Sequence, residues 1–305
     1  MNLKYLKILF LVTTVWLAVV TINTFFFTDS PDPIQSQIDS HLSENQLSEK
    51  DHDDHHQHDH ESLDKVVNQR ESQSFEALPL SHQSDILIRK RDLRLFKTFV
   101  ENNPILKTTI NEYSKEDGRT LLTRASFNGN LEFIKYIVED LKADINIADR
   151  DKITPLMEAA GSENFAVLKY LVESGANIHT ENKLGADALT MALGGAHEEM
   201  VSLLISRGAN VNHTWNKNNF SYLMNAARSG HLEVAKLLLN GKAKINQQDL
   251  DGNTALHYAS SEGFIKLVEL LKAKGASLTL RNQKNQTARS LAIKNGFKDI
   301  DQVLK

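Results

Sequence analysis

Asp249-Leu250-Asp251-Gly252-Asn253-Thr254-Ala255-Leu256-His257-Tyr258-Ala259 is followed by Gly263, Leu270-Leu271 and Gly275-Ala276, and the same residue types return at fixed steps on the N-terminal side. Ala125, Ala159, Ala192, Ala226, Ala259 and Ala292 are spaced by 34, 33, 34, 33 and 33. Thr120, Thr154, Asp187, Ser221, Thr254 and Thr287 keep the same steps, as do Gly175-Ala176, Gly208-Ala209, Lys242-Ala243 and Gly275-Ala276. A further track runs through Gly129, Gly230, Gly263 and Gly296, with Glu163 and Ala196 in its two gaps. Several independent columns holding one period mark a stacked repeat. Each column has a physical reason. A Thr hydroxyl caps the first helix, and Pro155 follows Thr154 at the first helical position, where a missing amide is harmless. The short Ala column lets that helix lie close to its neighbour. Leu237-Leu238 and Leu270-Leu271 form the apolar stripe of the second helix, and Gly closes it in the left-handed conformation. No unit buries its apolar face alone, so the units must stack.

From Asp117 to Lys305 the chain resembles the ankyrin repeat family. Asp251-Gly252-Asn253-Thr254-Ala255-Leu256-His257-Tyr258-Ala259 and Thr154-Pro155-Leu156-Met157-Glu158-Ala159-Ala160 carry the resemblance. It implies an all-α solenoid of helix-turn-helix units with β-hairpin fingers, divided at about 115–148, 149–181, 182–215, 216–248 and 249–281, with a capping unit at 282–305. A degenerate unit at 81–114 precedes them, because Arg91-Asp92-Leu93-Arg94-Leu95-Phe96-Lys97 aligns with Gly129-Asn130-Leu131-Glu132-Phe133-Ile134-Lys135. The resemblance also implies that His257 is structural, hydrogen-bonded between repeats. Some positions depart from the pattern. Lys152, Asn219 and Asn285 replace Gly in the finger turn; Asn tolerates a positive φ, whereas Lys loses about 1–2 kcal/mol there, so a distorted finger is expected at 149. Lys242 replaces the helix-closing Gly, and Gly241 beside it offers to shift the cap by one residue. Arg289, Lys294 and Lys298 suit a polar end cap.

N-terminal to the repeats the composition changes. The whole chain of 305 residues carries a formal charge of −4, made up of +2 in residues 1–27, −9 in residues 28–65 and +3 in residues 66–305. Residues 1–7 form a short stub with Lys4 and Lys7. Residues 8–27 carry no charge and, at about 1.5 Å per residue, are long enough as a helix to cross a ~30 Å hydrocarbon core. Lys4 and Lys7 before this run and Asp29 and Asp32 after it predict a cytoplasmic N-terminus and an exported remainder. A cleaved signal peptide is the rival reading, with a buried soluble helix a third. The large side chains of Phe25-Phe26-Phe27 are poor peptidase sites, which favours an uncleaved anchor. Residues 28–80, rich in Asp, Ser, Gln and His, bury too little apolar surface to offset their ordering entropy and read as a tether. The localisation expected is a single-pass membrane protein with its repeats outside the cytoplasm, in the periplasm if the source is bacterial.

No catalytic constellation is recognisable. His197-Glu198-Glu199-Met200-Val201 lacks the second His of a zinc-protease helix, and no Gly-x-Ser-x-Gly elbow exists. With no Cys there is no thiolate site or disulfide. Nor does the mild net charge argue for nucleic acid. Asp51-His52-Asp53-Asp54-His55-His56-Gln57-His58-Asp59-His60-Glu61 is the exception, because five imidazoles among carboxylates suit Zn, Ni or Cu. Its spacing defines no closed site, and a solvated acidic tether explains the same residues.

The function expected is therefore non-catalytic: a membrane-anchored module, monomeric in its folded domain, that captures or positions a partner protein. The alternative is a metal-handling accessory whose His-rich tether binds metal while the repeats dock a metal-dependent partner. Ankyrin domains bind through fingertips and the exposed positions of inner helices. Mapped onto this chain, those positions are Phe127, Arg150, Asp151, Ile153, Lys183, Leu184, Trp215, Lys217, Phe220, Arg228, Leu250 and Asp251, with Asn218 and Ser261 beside them. Aromatic, aliphatic and Arg groups are the usual anchors of interfaces. Packing between adjacent fingers explains Phe220 and Ile153 equally well, whereas Leu184 and Leu250 are harder to account for by packing. One inserted residue within His213-Thr214-Trp215-Asn216-Lys217-Asn218-Asn219 lengthens the fourth finger.

Overall fold

The computed structural model describes residues 75–214 and 218–305, which belong to one compact unit, Glu71–Lys305. The uncharged run 8–27, the acidic residues 28–74 with their His cluster, and Trp215 and Lys217 lie outside the described residues. Three helices open the unit: α1 (Leu80–Arg89), α2 (Leu93–Asn102) and α3 (Ile105–Thr108). Six helix pairs follow. Their inner members are α4 (Leu121–Asn128), α6 (Pro155–Gly161), α8 (Ala188–Gly194), α10 (Tyr222–Ser229), α12 (Ala255–Glu262) and α14 (Ala288–Lys294). Their outer members are α5 (Leu131–Lys135), α7 (Phe165–Glu173), α9 (Glu198–Ser206), α11 (Leu232–Asn240), α13 (Ile265–Ala273) and α15 (Lys298–Val303). Inner helices pack on inner and outer on outer, giving a two-layer stack. Among the described residues no helix is long and apolar enough to cross a membrane.

The columns of the sequence become the joints of this stack. Thr120, Thr154, Asp187, Ser221, Thr254 and Thr287 each accept the amide three residues on, at 3.1, 3.3, 2.8, 3.2, 3.4 and 3.2 Å. Such caps are each worth about 1 kcal/mol. Every member of the Ala column is at most 2% exposed. Arg91 and Gly129 are both left-handed, and Asp92 and Asn130 cap the helices that follow, so the divergent first unit closes as the others do. The glycines of the third track have a second role. A Cβ on Gly230 or Gly263 would fall 2.7 or 2.5 Å from the ring of Phe264 or Phe297 in the next repeat, so the missing side chain is also an interlock. On the opposite side of each unit, the Oδ1 atoms of Asn111, Asn146, Asn212 and Asn246 accept the backbone amides of Asp144, Asn177, Lys244 and Ser277 at 2.7–2.8 Å, tying loop to loop.

Two irregularities trace to the 34-residue steps. The outer helix α5 continues into a π-turn, Tyr136–Asp140, closed by Leu141 N to Tyr136 O at 3.0 Å. This wide turn absorbs the extra residue between Ala125 and Ala159 without disturbing Ile137 or Ala143, both buried. Further on, inner helices α8 and α10 touch far less than other neighbouring inner helices. Tyr222 opens α10 where Pro155, Ala188, Ala255 and Ala288 open theirs, and its ring, 1% exposed, fills this joint.

Three expectations are corrected. The fingers contain no strand: among the described residues only the isolated bridge Tyr113 to Thr120 has sheet pairing. Each finger is too short for a ladder, and its tip amides bond to the neighbouring finger instead. The finger at 149 is not distorted. Lys152 takes φ +60° and its amide still bonds to Asp149 O at 3.0 Å, as Gly252 does to Asp249 O at 3.0 Å, so the strain falls on one residue and the turn is kept. Gly241 does not shift the cap, since its φ is −75° and Lys242 itself is left-handed at +69°. A Cβ on Gly241 would meet the side chains of Ile205 and Val211 at 3.0 Å, so either must shift slightly to admit one. The polar end cap is present: Arg289 bonds to Asp301 at 2.7 Å.

Candidate protein-interaction surface

Four of the fingers are each held from within by one Asx side chain. Oδ1 of Asp149, Asn182, Asp249 and Asn282 accepts two amides, from residues two and four positions further on, at 2.8–3.0 Å. A type I turn followed by a left-handed residue completes each tip. The tips are then strung together by backbone bonds. Arg150 N donates to Gly118 O (2.9 Å), Lys183 N to Asp151 O (3.1 Å), Leu250 N to Asn218 O (3.0 Å) and Gln283 N to Asp251 O (2.9 Å). These bonds join the first three fingers to one another and the last three to one another, with Leu184 and Leu250 projecting into water. This Asx column escaped the reading of the sequence, although its Asp/Asn alternation at the repeat period was the available signal.

The structure divides the predicted contact residues. Leu184 and Leu250 stand on the tips, 73% and 60% exposed. Arg150, Asp151, Lys183 and Asp251 are exposed as well, with Lys183 Nζ 3.1 Å from Asp151. Arg150 lies over the ring of Tyr113 at 5.7 Å, and Tyr113 is itself 52% exposed. Tyr113 belongs to the divergent first unit, where the repeat pattern gave no reason to select it. Phe127 is half-buried under the Arg119 guanidinium, 5.3 Å away. Ser261 is half-buried and accepts Asn295 Nδ2 through its carbonyl at 2.8 Å. Ile153 is partly buried against the core. Phe220 is only 7% exposed: its ring meets Tyr258 edge-on at 5.3 Å, and Arg228 covers it at 4.8 Å. Phe220 is therefore a packing residue between fingers, and Arg228 is engaged in covering it.

Beneath the first two fingers lies a charged pocket. Glu158 on α6, 8% exposed, faces Arg119, whose guanidinium is 3.2 Å from Oε1 without an aligned hydrogen bond. Burial pushes the Glu158 carboxyl up to about 7; Arg119 opposes this and Asp149 adds to it. The corresponding residue of α4, Arg124, bonds to Asp117 at 2.6 Å and Ser81 O at 2.7 Å. On α12, Tyr258 donates to Asp249. Arg124 and Tyr258 brace their own fingers from the inner helices, whereas Glu158 faces the finger of the preceding repeat. His257 spans repeats, accepting Thr254 N at Nδ1 (3.2 Å) and facing Gln286 O with Nε2 (3.1 Å). Among the described residues no three His, Asp or Glu side chains gather as a metal would require.

Three copies of the family pattern described as ankyrin repeats match residues 87–182, 174–249 and 241–305, and the chain belongs to the ankyrin repeat family. It is similar to the B-cell lymphoma 3 protein homolog of Mus musculus, 33% identical over 135 residues, 44% of this chain and 30% of that protein. It is also similar to the nuclear factor NF-kappa-B p105 subunit of Gallus gallus, 32% identical over 153 residues, 48% of this chain and 16% of that protein. Among solved structures, the ankyrin repeat domain of Bcl-3, described as a unique member of the IkappaB protein family, superposes with a TM-score of 0.62 at 26% identity, covering 72% of this chain and 97% of that one. The matched region spans less than a third of either curated relative. The repeats mark this domain as a protein–protein interaction module.

Proposed function

We propose that the chain captures or positions a partner protein on its fingertip row and concave face, by non-covalent contact and without chemistry of its own. The observation that carries this reading is the pair Leu184 and Leu250, large apolar side chains held in water on fingers that are stapled within and strung to one another. A preorganised backbone leaves little ordering entropy to lose on binding, so apolar area buried there converts efficiently into affinity. Arg150 over Tyr113 extends the row with two groups favoured at interface centres.

The proposal includes a membrane anchor at residues 8–27, a tether at 28–80 and repeats on the extracytoplasmic side; its support is the uncharged run and the charges that flank it. Anchoring raises the local concentration of the repeats for a partner at the same surface. Crosslinking the full-length chain in intact membranes, beside a Leu184→Ser, Leu250→Ser variant, tests the interaction. The variant is expected to lose the crosslinked partner at an unchanged melting temperature. Retention of the same partner would place binding on another face. A reporter enzyme active only after export, fused after Lys305, tests the orientation, and silence there contradicts it.

A further inference from the structure

Several outer helices carry a lysine at one column, while α9, α13 and α15 hold Ser202, Glu269 and Gln302 there. Lys97 on α2 lies over the ring of Tyr136 in the next unit at 4.8 Å, and Lys135 lies over Tyr170 at 5.9 Å. Lys169 and Lys236 occupy the same column on α7 and α11. In each case a lysine with an aliphatic stem is available to cover the apolar surface of the following unit. On α9 the column holds Ser202, and one turn further Ser206. The uncovered surface forms an open groove of about 520 Å³ floored by Phe165, Leu203 and Leu237. Its rim is acidic, formed by Glu198, Glu199 and Glu233. Glu233 is engaged by Lys236 at 2.6 Å. Glu198 and Glu199, at the start of α9, are exposed with no ion pair.

We infer that this groove is a second docking site, on the face opposite the concave surface, for a partner segment that presents a lysine or arginine side chain. The occupant follows from complementarity. The flanking repeats carry Lys169 and Lys236 at this column. Ser202 supplies neither a cation nor an apolar stem, while an apolar floor and two carboxylates without an ion pair are both present. An incoming Lys or Arg lays its methylenes on Leu203 and Leu237 and brings its charge to Glu198 and Glu199, with the Phe165 ring offering a cation–π face. A plain apolar partner leaves those carboxylates without a counter-charge, and an acidic one is repelled.

The test uses the full-length chain and a fluorescein-labelled amphipathic Lys/Leu peptide, followed by anisotropy. Ser202→Lys restores the residue of the neighbouring repeats and fills the groove from within. Glu269→Gln, in the same column of α13, changes the net charge by the same amount away from the groove. Saturable binding is expected for the native chain. Ser202→Lys should weaken it about tenfold or more, and Glu269→Gln should leave it within about twofold. The double change Glu198→Gln, Glu199→Gln should weaken it to a similar degree while leaving the groove open. The acidic residues 28–65 contribute equally to every variant. Equal affinities for Ser202→Lys and Glu269→Gln, or no saturable binding, would overturn the assignment.

Discussion

The phenol of Tyr222 donates a 2.8 Å hydrogen bond to Oδ1 of Asp187, the residue that caps the inner helix of the preceding repeat. The same phenol lies 2.7 Å from the Thr190 hydroxyl. One side chain thus joins α10 to the N-terminus of α8 across the joint where these helices touch least. Burial raises its pKa above the usual phenol range, with Asp187 adding to the shift, so the hydroxyl stays a donor. Tyr222→Phe should lower stability by about 1–2 kcal/mol through the lost bond, and Tyr222→Ala by about 3–5 kcal/mol through the cavity. Urea unfolding of the two variants measures both, and equal losses would mean that the hydroxyl contributes nothing.

Glu158 should give the domain an unusual response to pH. Its folded pKa, about 7, lies above the ordinary 4.5, so the folded state holds the proton more tightly than the unfolded state. The associated stability is complete below about pH 4.5 and is lost as the pH rises through 7. Burial of the charged form then opposes folding by at most roughly 3 kcal/mol at pH 8. Glu158→Gln is expected to raise the urea midpoint at pH 8 and to change it little at pH 5. A gain independent of pH would point to packing instead of ionisation.

His257 acts in the opposite sense. Burial lowers its pKa below 6.5, with the bond to Gln286 O partly opposing the shift. Its contribution is complete above pH 6.5 and is lost progressively as the pH falls from there toward the lower folded pKa. Protonation also removes the Nδ1 acceptor used by Thr254 N. The imidazole titration followed by NMR should have its midpoint below 6.5, and a midpoint at or above that value contradicts the account.

Lys152 and Lys242 hold left-handed backbone that glycine adopts without strain. Lys152→Gly and Lys242→Gly should each stabilise the domain by roughly 0.5–1 kcal/mol, the relief being offset in part by the greater freedom of glycine in the unfolded chain. Thermal unfolding measures this. A loss of stability at Lys152 would show that its side chain makes a contact outweighing the strain.

Much of the stack was legible because the residues that define it act locally. A hydroxyl caps the amide three positions away, a small residue sits within each inner helix, and both recur at the repeat period, so Thr120, Ser221 and the Ala column could be read without any neighbour in view. The proposed contact surface was legible only where a side chain had nothing to pack against, as with Leu184 and Leu250. Phe220 looked like an anchor by type, but Tyr258 and Arg228 close over it from residues distant in sequence. Tyr113 was passed over because the first unit departs from the pattern used to search it.

The sequence by itself determined the family, the register of the repeats, the helix caps and the fingertip positions, since each rests on short-range geometry repeated at a constant period. Only the tertiary structure decided how each exception is accommodated. A π-turn absorbs one inserted residue, Tyr222 fills the wide joint between α8 and α10, and Lys152 bears strain so that its finger keeps the common shape. It also decided that Ser202 leaves a groove where the flanking repeats carry Lys169 and Lys236. In each case the outcome depends on side chains about 33 residues away that meet only when the units stack, and a packed interior admits few arrangements of them.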